Sequence, residues 1–221
     1  MRTHNILCST LILAALALAS ASTTAHAGVF RFVAAEPAYE VLVGETVIVD
    51  LFLQEDIPDL AISTLIAENG LISLDVRVDA TSADTDPATM TAFNTNDLDF
   101  NDPLGPIVTL TPDQLRTVLF QDPFEPLGVL GTETPQPIGA RRDVYIGSLI
   151  IQAGNLEDQT TIFTLADDLL VGEFTLTLDG IAALDTTIEP GTFTVTTIIP
   201  EPLSIGIFTL GLAALTRRCL H

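Results

Sequence analysis

The stretch Ile72-Ser73-Leu74-Asp75-Val76-Arg77-Val78-Asp79 alternates apolar and polar residues without a break. Side chains on an extended strand point to opposite faces in turn, so Ile72, Leu74, Val76 and Val78 share one face. A helical period of 3.6 would scatter the same four residues around the axis and leave no apolar stripe. The rhythm returns in Phe174-Thr175-Leu176-Thr177-Leu178-Asp179 and in Thr192-Phe193-Thr194-Val195-Thr196. Such strands predict sheets with one face on a core and the other turned outward.

Other segments extend the pattern. Gly44 and Glu45 open a run from Thr46 to Gln54 that is apolar at positions of both parities, and Val144 to Ile151 reads the same way. Both runs predict central strands covered on each side. Asn69-Gly70, Asp179-Gly180 and Pro190-Gly191 mark turns between runs. One helix start is legible in Thr111-Pro112-Asp113-Gln114-Leu115: Thr111 caps, Pro112 takes the first helical position and Gln114 completes a capping box. Leu115, Val118 and Leu119 then face the core of a short helix ending near Phe120. Residues 59–69 fit a short helix or a strand, and the prolines and glycines of 121–142 predict an extended loop. No internal repeat appears. The fold class expected for 28–199 is all-β, a two-sheet antiparallel sandwich with one short helix.

The chain has 221 residues, with 8 basic and 29 acidic side chains, and all the basic ones are arginine. Residues 28–199 hold 28 carboxylates against five arginines, a net charge of −23. That surface repels nucleic acid and anionic lipid, and suits an exported protein, a basic partner or bound calcium. The two cysteines, Cys8 and Cys219, lie in the terminal segments, so no disulfide holds the middle together. About 170 residues bury a sizeable core without one.

Between 28 and 199 there is no His, Cys, Lys or Trp, and serine occurs only at 63, 73, 82 and 148. This excludes Ser–His–Asp and Cys–His nucleophiles, lysine Schiff bases, and zinc held by imidazole or thiolate. Carboxylate chemistry survives. Paired carboxylates serve glycoside hydrolysis, but Tyr39 and Tyr145 are the only aromatics besides phenylalanine to hold a sugar. Calcium is the other reading. Asp84, Asp86, Asp97, Asp99, Asn101 and Asp102 gather hard oxygen ligands in what reads as one loop. An EF-hand begun at Asp97 fails, because Asp102 stands where glycine is needed and Val108 where glutamate is. The competing reading is that these Asp and Asn residues form turns, as Glu157-Asp158 and Asp167-Asp168 do. Arg141-Arg142, the one basic cluster of the middle, is expected to pair with nearby carboxylates.

The ends read as addresses. Arg2, an apolar run from Ile6 to Ala19, and Ala25-His26-Ala27 form a signal peptide over residues 1–27, cleaved after Ala27. At the other end, Leu203 to Thr216 is an uncharged, mostly apolar run of 14 residues. As a helix it spans about 21 Å, short of a hydrocarbon core near 30 Å. Arg217 and Arg218 hold its end on the cytoplasmic side. Pro200-Glu201-Pro202, the apolar run and the arginine pair, in that order behind a signal peptide, resemble a PEP-CTERM sorting signal of Gram-negative bacteria over 200–221. The resemblance implies an exosortase-type membrane protease-transpeptidase as partner, a transient hold in the inner membrane, and delivery to the cell surface or extracellular matrix. Three residues, Cys219-Leu220-His221, follow the arginines where the commonest form ends. The alternative is a permanent tail anchor.

The strand Gly44-Glu45-Thr46-Val47…Leu51, then Gly70-Leu71…Val76 and Ile146-Gly147-Ser148-Leu149, is similar in rhythm to cohesin-like and related carbohydrate-binding sandwiches. This implies a jelly-roll scaffold whose family members bind glycans or protein modules. The function expected is a non-enzymatic, exported protein with a structural or adhesive role. The alternatives are a glycan- or protein-binding module, with exopolysaccharide or a protein as partner and calcium as cofactor, and a carboxylate glycosidase.

Overall fold

The computed structural model describes residues 28–168, 175–179, 184 and 188–199. Its strands in chain order are β1 (Val29–Ala34), β2 (Ala38–Leu42), β3 (Thr46–Ile57), β4 (Leu71–Thr81), β5 (Thr89–Thr95), β6 (Ile107–Leu110) and β7 (Gln114–Phe120). Then follow β8 (Thr132–Pro135), β9 (Ala140–Gln152), β10 (Thr160–Ala166), β11 (Leu176–Thr177), β12 (Ile188–Glu189) and β13 (Gly191–Ile198). One short helix, α1 (Thr64–Ala67), joins β3 to β4.

Among the described residues these strands form two sheets. Sheet A has the order β12-β1-β3-β9-β5, with β8 also on β9; sheet B has the order β2-β13-β10-β4-β7-β6, with β11 also on β4. All pairings are antiparallel except β1 with β12 and β2 with β13. The chain is an all-β sandwich. Alternation does the sorting: Leu74, Val76 and Val78 of β4 are fully buried and share one core with Val49, Leu51 and Leu53 of β3. Phe163 and Phe193, register partners on β10 and β13, stack with ring centroids 4.9 Å apart. Each such buried side chain contributes about 1.5–3 kcal/mol.

The run of β3 lies between β1 and β9, as its sequence predicts, but its outer face is not covered, since Ile48 is 63% exposed. β9 departs from the reading that apolar residues of both parities need cover on both faces. Its pairing with β3 shifts register between Leu51 and Phe52, so Gly147 faces Leu51 while Tyr145 faces Phe52. This bulge inserts one residue and inverts the parity of the strand. Val144 and Ile146 before it, and Leu149 and Ile151 after it, therefore all point into the core.

The helix expected over 111–120 does not form. Residues 114–120 are β7, in register with β4 on one side and β6 on the other. Core-facing positions are Leu115, Thr117 and Leu119, all buried, and the threonine disguises the period of two. The predicted cap bond is nonetheless present: the Gln114 N–H donates to Thr111 Oγ1 at 3.0 Å, but it closes a hairpin turn. The helix lies at 64–67, inside the ambiguous segment 59–69, with Ser63 as N-cap. Glu55, buried on the inner face of β3, accepts from Ser63 Oγ at 2.6 Å and from the Thr64 N–H. The expected loop 121–142 carries β8 and the first residues of β9. Of the run 174–179, residues 176–177 form β11.

The registers define two poles. Ile198 lies beside Leu42, and Thr46 beside Gln152, at the pole where the chain leaves β13. Ile57 with Ala140, and Val29 with Asp56, mark the opposite pole.

Candidate functional site

The outer face of sheet A carries an aromatic pair, Phe52 and Tyr145, with ring centroids 5.4 Å apart. The bulge at Gly147 places it. Because parity inverts there, Tyr145 and Ser148, three residues apart, both point outward, and their hydroxyls are 2.5 Å from each other. Ser148 Oγ donates to Asp50 at 2.6 Å, fixing the ring from below. Beside it, Asp143 accepts from Gln54 Nε2 and from Arg141 Nε, both at 3.0 Å.

Two loops raise a wall against this face and enclose a cleft of about 730 Å3. One connects β5 to β6 and supplies Leu98, Asp99 and Asn101; the other follows β7 and supplies Gln121, Glu125 and Leu127. They are tied together, since Asn101 Oδ1 accepts from the Asp122 N–H and the Asp102 N–H donates to the Phe120 carbonyl. The second loop is held against β4 by the close approach of Gly128 to Gly70. A Cβ added to Gly70, which sits at φ +90°, would lie 2.4 Å from the Gly128 carbonyl carbon. That approach lets Val129 and Leu71 exchange two backbone hydrogen bonds, at 2.8 and 3.0 Å. The strand β8 forms the remaining rim through Thr132 and Thr134.

The six residues read as calcium ligands do not share one loop. β5 divides them: Asp84 and Asp86 precede it, while Asp97, Asp99, Asn101 and Asp102 follow it, about 20 Å away along the strand. Asp84 accepts from the Thr160 N–H and Asp86 from the Asn155 N–H, joining the 82–88 turn to its neighbour. Asp97 accepts from Thr95, Asp99 from Asn96, and Asp102 from the Leu104 N–H. Among the described residues no three His, Cys, Asp or Glu side chains gather as a metal would require. Arg141 and Arg142 pair with Asp143 and Glu133, and Arg142 also donates to the Leu130 and Gly131 carbonyls. Ala25, Ala27, Pro200, Glu201, Pro202, Arg217 and Arg218, expected from the sequence to mark processing and sorting, lie outside the described residues. Among those described, no helix is long and apolar enough to cross a membrane.

Sequence reasoning missed a second cluster, on the outer face of sheet B. Asp75, in the alternating stretch itself, is fully buried. The Thr175 hydroxyl donates to its Oδ1 at 2.7 Å, and the Asp75 N–H donates back to Thr175 Oγ1 at 3.3 Å. Burial pushes the Asp75 carboxyl above its ordinary 3.8, hydrogen bonds from Thr175 and Asp167 pull it down, and the Asp168 charge raises it further. Asp167 and Asp168 are not exposed turn residues; both are buried, and Asp168 forms a fork with Arg116 at 2.6 and 3.0 Å. These hydrogen bonds hold the guanidinium proton more tightly than usual. The lone arginine inside the mostly apolar run 114–120 is the one sequence signal of this pair.

No family model matches the chain, and no curated protein does. Among solved structures, the seventh ScaB type I cohesin from Pseudobacteroides cellulosolvens is similar at 10% identity and a TM-score of 0.45, covering 79% of this chain and 95% of that one. AvmM, described as catalysing macrocyclization in alchivemycin A biosynthesis, is similar at 11% identity and a TM-score of 0.25, covering 80% of this chain and 92% of that one.

Proposed function

We propose that the chain is an exported, non-enzymatic β-sandwich, sorted through its C-terminal segment to the cell surface or extracellular matrix, with a structural or adhesive role there. The observation that carries this reading is the fit of the folded body between two processing points. β1 starts at Val29, two residues beyond Ala27, and β13 ends at Ile198, two residues before Pro200. Cuts at both places leave every described strand whole, so an exosortase-type enzyme finds its tripeptide just outside the fold. The test is the mass of the C-terminal peptide of the protein isolated from its host. A terminus near 200–202 supports the reading; an intact Thr216-Arg217-Arg218-Cys219-Leu220-His221 end replaces it with a permanent tail anchor.

The second reading, a glycan- or protein-binding module, draws on the sheet A cleft. In its calcium-requiring form the melting temperature rises with millimolar calcium, and an unchanged melting curve removes that form.

A further inference from the structure

We infer that the cleft on the outer face of sheet A binds a short stretch of uncharged polysaccharide. The inference deepens the surface-and-matrix reading, on which it rests for the presence of such polymers around the protein.

Charge narrows the ligand first. Among the described residues no arginine lines the cleft, whereas Asp99, Glu125 and Asp143 do, in a domain already strongly acidic. Phosphate, sulfate and uronate chains are repelled. Nor is the cleft a strong cation trap. Asp143 is compensated by Arg141, and the two exposed carboxylates, Asp99 and Glu125, stand on different loops, with no group of three acids around them among the described residues. A β-strand peptide fits poorly as well. The free edge at the rim is β8, four residues long and closed by Pro135, which offers no N–H to a ladder.

An uncharged sugar chain suits what remains. Its rings have an apolar face, which the Phe52–Tyr145 pair and the exposed Leu127 can receive. Its hydroxyls both donate and accept, matching the planar amides of Asn101 and Gln121 and the hydroxyls of Thr132 and Thr134. The volume lies in the range of pockets that enclose small ligands, roughly 300–1,000 Å3.

Orientation supports the same use. The cleft opens toward the pole opposite Ile198, roughly 25 Å along β9 from Gln152. A protein held or attached by its C-terminus presents it outward. Among the described residues, the most exposed large apolar side chains, Leu60, Ile62, Leu98, Leu104, Phe124 and Ile138, from 67% to 98% exposed, sit on loops of that far pole. Their collection at one end marks an interaction surface around the cleft.

The test is affinity electrophoresis of the protein purified from its host, through gels containing dextran, hydroxyethylcellulose, galactomannan or polygalacturonate, with a poly-lysine peptide as a further probe. Retardation by at least one uncharged polymer and none by polygalacturonate is expected. Tyr145→Ala should weaken that retardation about ten-fold, the scale of one lost aromatic contact, and Tyr145→Phe should recover most of it. Because Tyr145→Ala also cuts the bonds to Ser148 and Asp50, Thr132→Arg is the second variant: it places a bulky arm on the exposed rim, and it too should weaken binding about ten-fold or more. Leu156→Ser, on a loop of the Ile198 pole, serves as the control. No retardation by any uncharged polymer overturns the inference, as does retardation that both cleft variants leave intact. Retardation by poly-lysine alone reassigns the cleft to a basic protein segment. The C-terminal mass is read separately, so a processed protein that binds no glycan refutes this inference and leaves the sorting reading standing.

Discussion

Both outer faces of the sandwich carry a hydroxyl that donates to an aspartate at nearly the same distance. On sheet B it is Thr175 to Asp75, 2.7 Å; on sheet A it is Ser148 to Asp50, 2.6 Å. The surroundings differ completely. Thr175 and Asp75 have no exposure, whereas Ser148 and Asp50 are half-buried beside an open cleft. Where water is absent, the bond stands between a carboxylate and its desolvation cost, and the group is committed to holding the fold. Where water is present, bond and solvent are close to interchangeable, and the side chains are free to serve a ligand. Polar chemistry alone does not mark the functional face; what covers it does.

The largest effect should come from the contact that builds the cleft wall. Gly70→Ala forces a Cβ into the Gly128 backbone from a left-handed φ. A loss of roughly 3 kcal/mol is expected in denaturant unfolding, together with loss of polysaccharide retardation. A mutant as stable as the parent would mean that the 121–131 loop does not depend on this approach.

Next in size is Thr175→Val, which keeps the shape and removes the hydroxyl from a fully buried carboxylate. It should cost about 1–3 kcal/mol, measured the same way. A neutral result would show that the outer face of sheet B admits water, and the contrast between the faces would collapse.

A smaller effect separates the faces by pH. The folded-state pKa of Asp75 lies above its ordinary value, chiefly through burial, so the folded protein keeps a proton that the unfolded chain has released. Stability from this group is complete below the ordinary carboxylate range and is lost as pH rises through the raised folded value. Asp75→Asn carries no such charge. Its melting temperature should gain on the parent's as pH rises from about 4 to neutrality. Parallel melting profiles would place the Asp75 carboxylate in contact with solvent.

How far the sequence foretold these faces can be judged residue by residue. The alternation of β4 and β13 was enough to assign both as strands and most of their core residues, although Ile72 is only half-buried while Leu71, of the other parity, is fully buried. It could not show that Asp75 is buried, since its partner Thr175 is 100 residues distant. Thr117 at a core position made β7 resemble a helix, and the bulge at Gly147 made β9 resemble a strand apolar on both sides. The cleft was harder still. Tyr145 stood out as one of two tyrosines, but its neighbours come from β3, β8, β9 and two loops that only the register assembles. The acidic residues at 84–102 read as one site because β5, a strand with only Met90 fully buried, gave no alternation to divide them.

The smallest effect is the matched change on the open face. Ser148→Ala removes a donor from Asp50 as Thr175→Val removes one from Asp75, yet water can take the vacant place. Stability should stay within about 0.5 kcal/mol of the parent, as surface substitutions usually do. The Tyr145 hydroxyl then keeps only its weaker 3.4 Å contact with Asp50, so the ring gains freedom while the fold does not suffer. Polysaccharide retardation should therefore fall only slightly, as it should for Tyr145→Phe, which loses the same hydroxyl contacts. If instead retardation and stability fall together, with a cost matching that of Thr175→Val, the outer face of sheet A is as structural as that of sheet B, and the cleft owes its polar groups to folding rather than to a ligand.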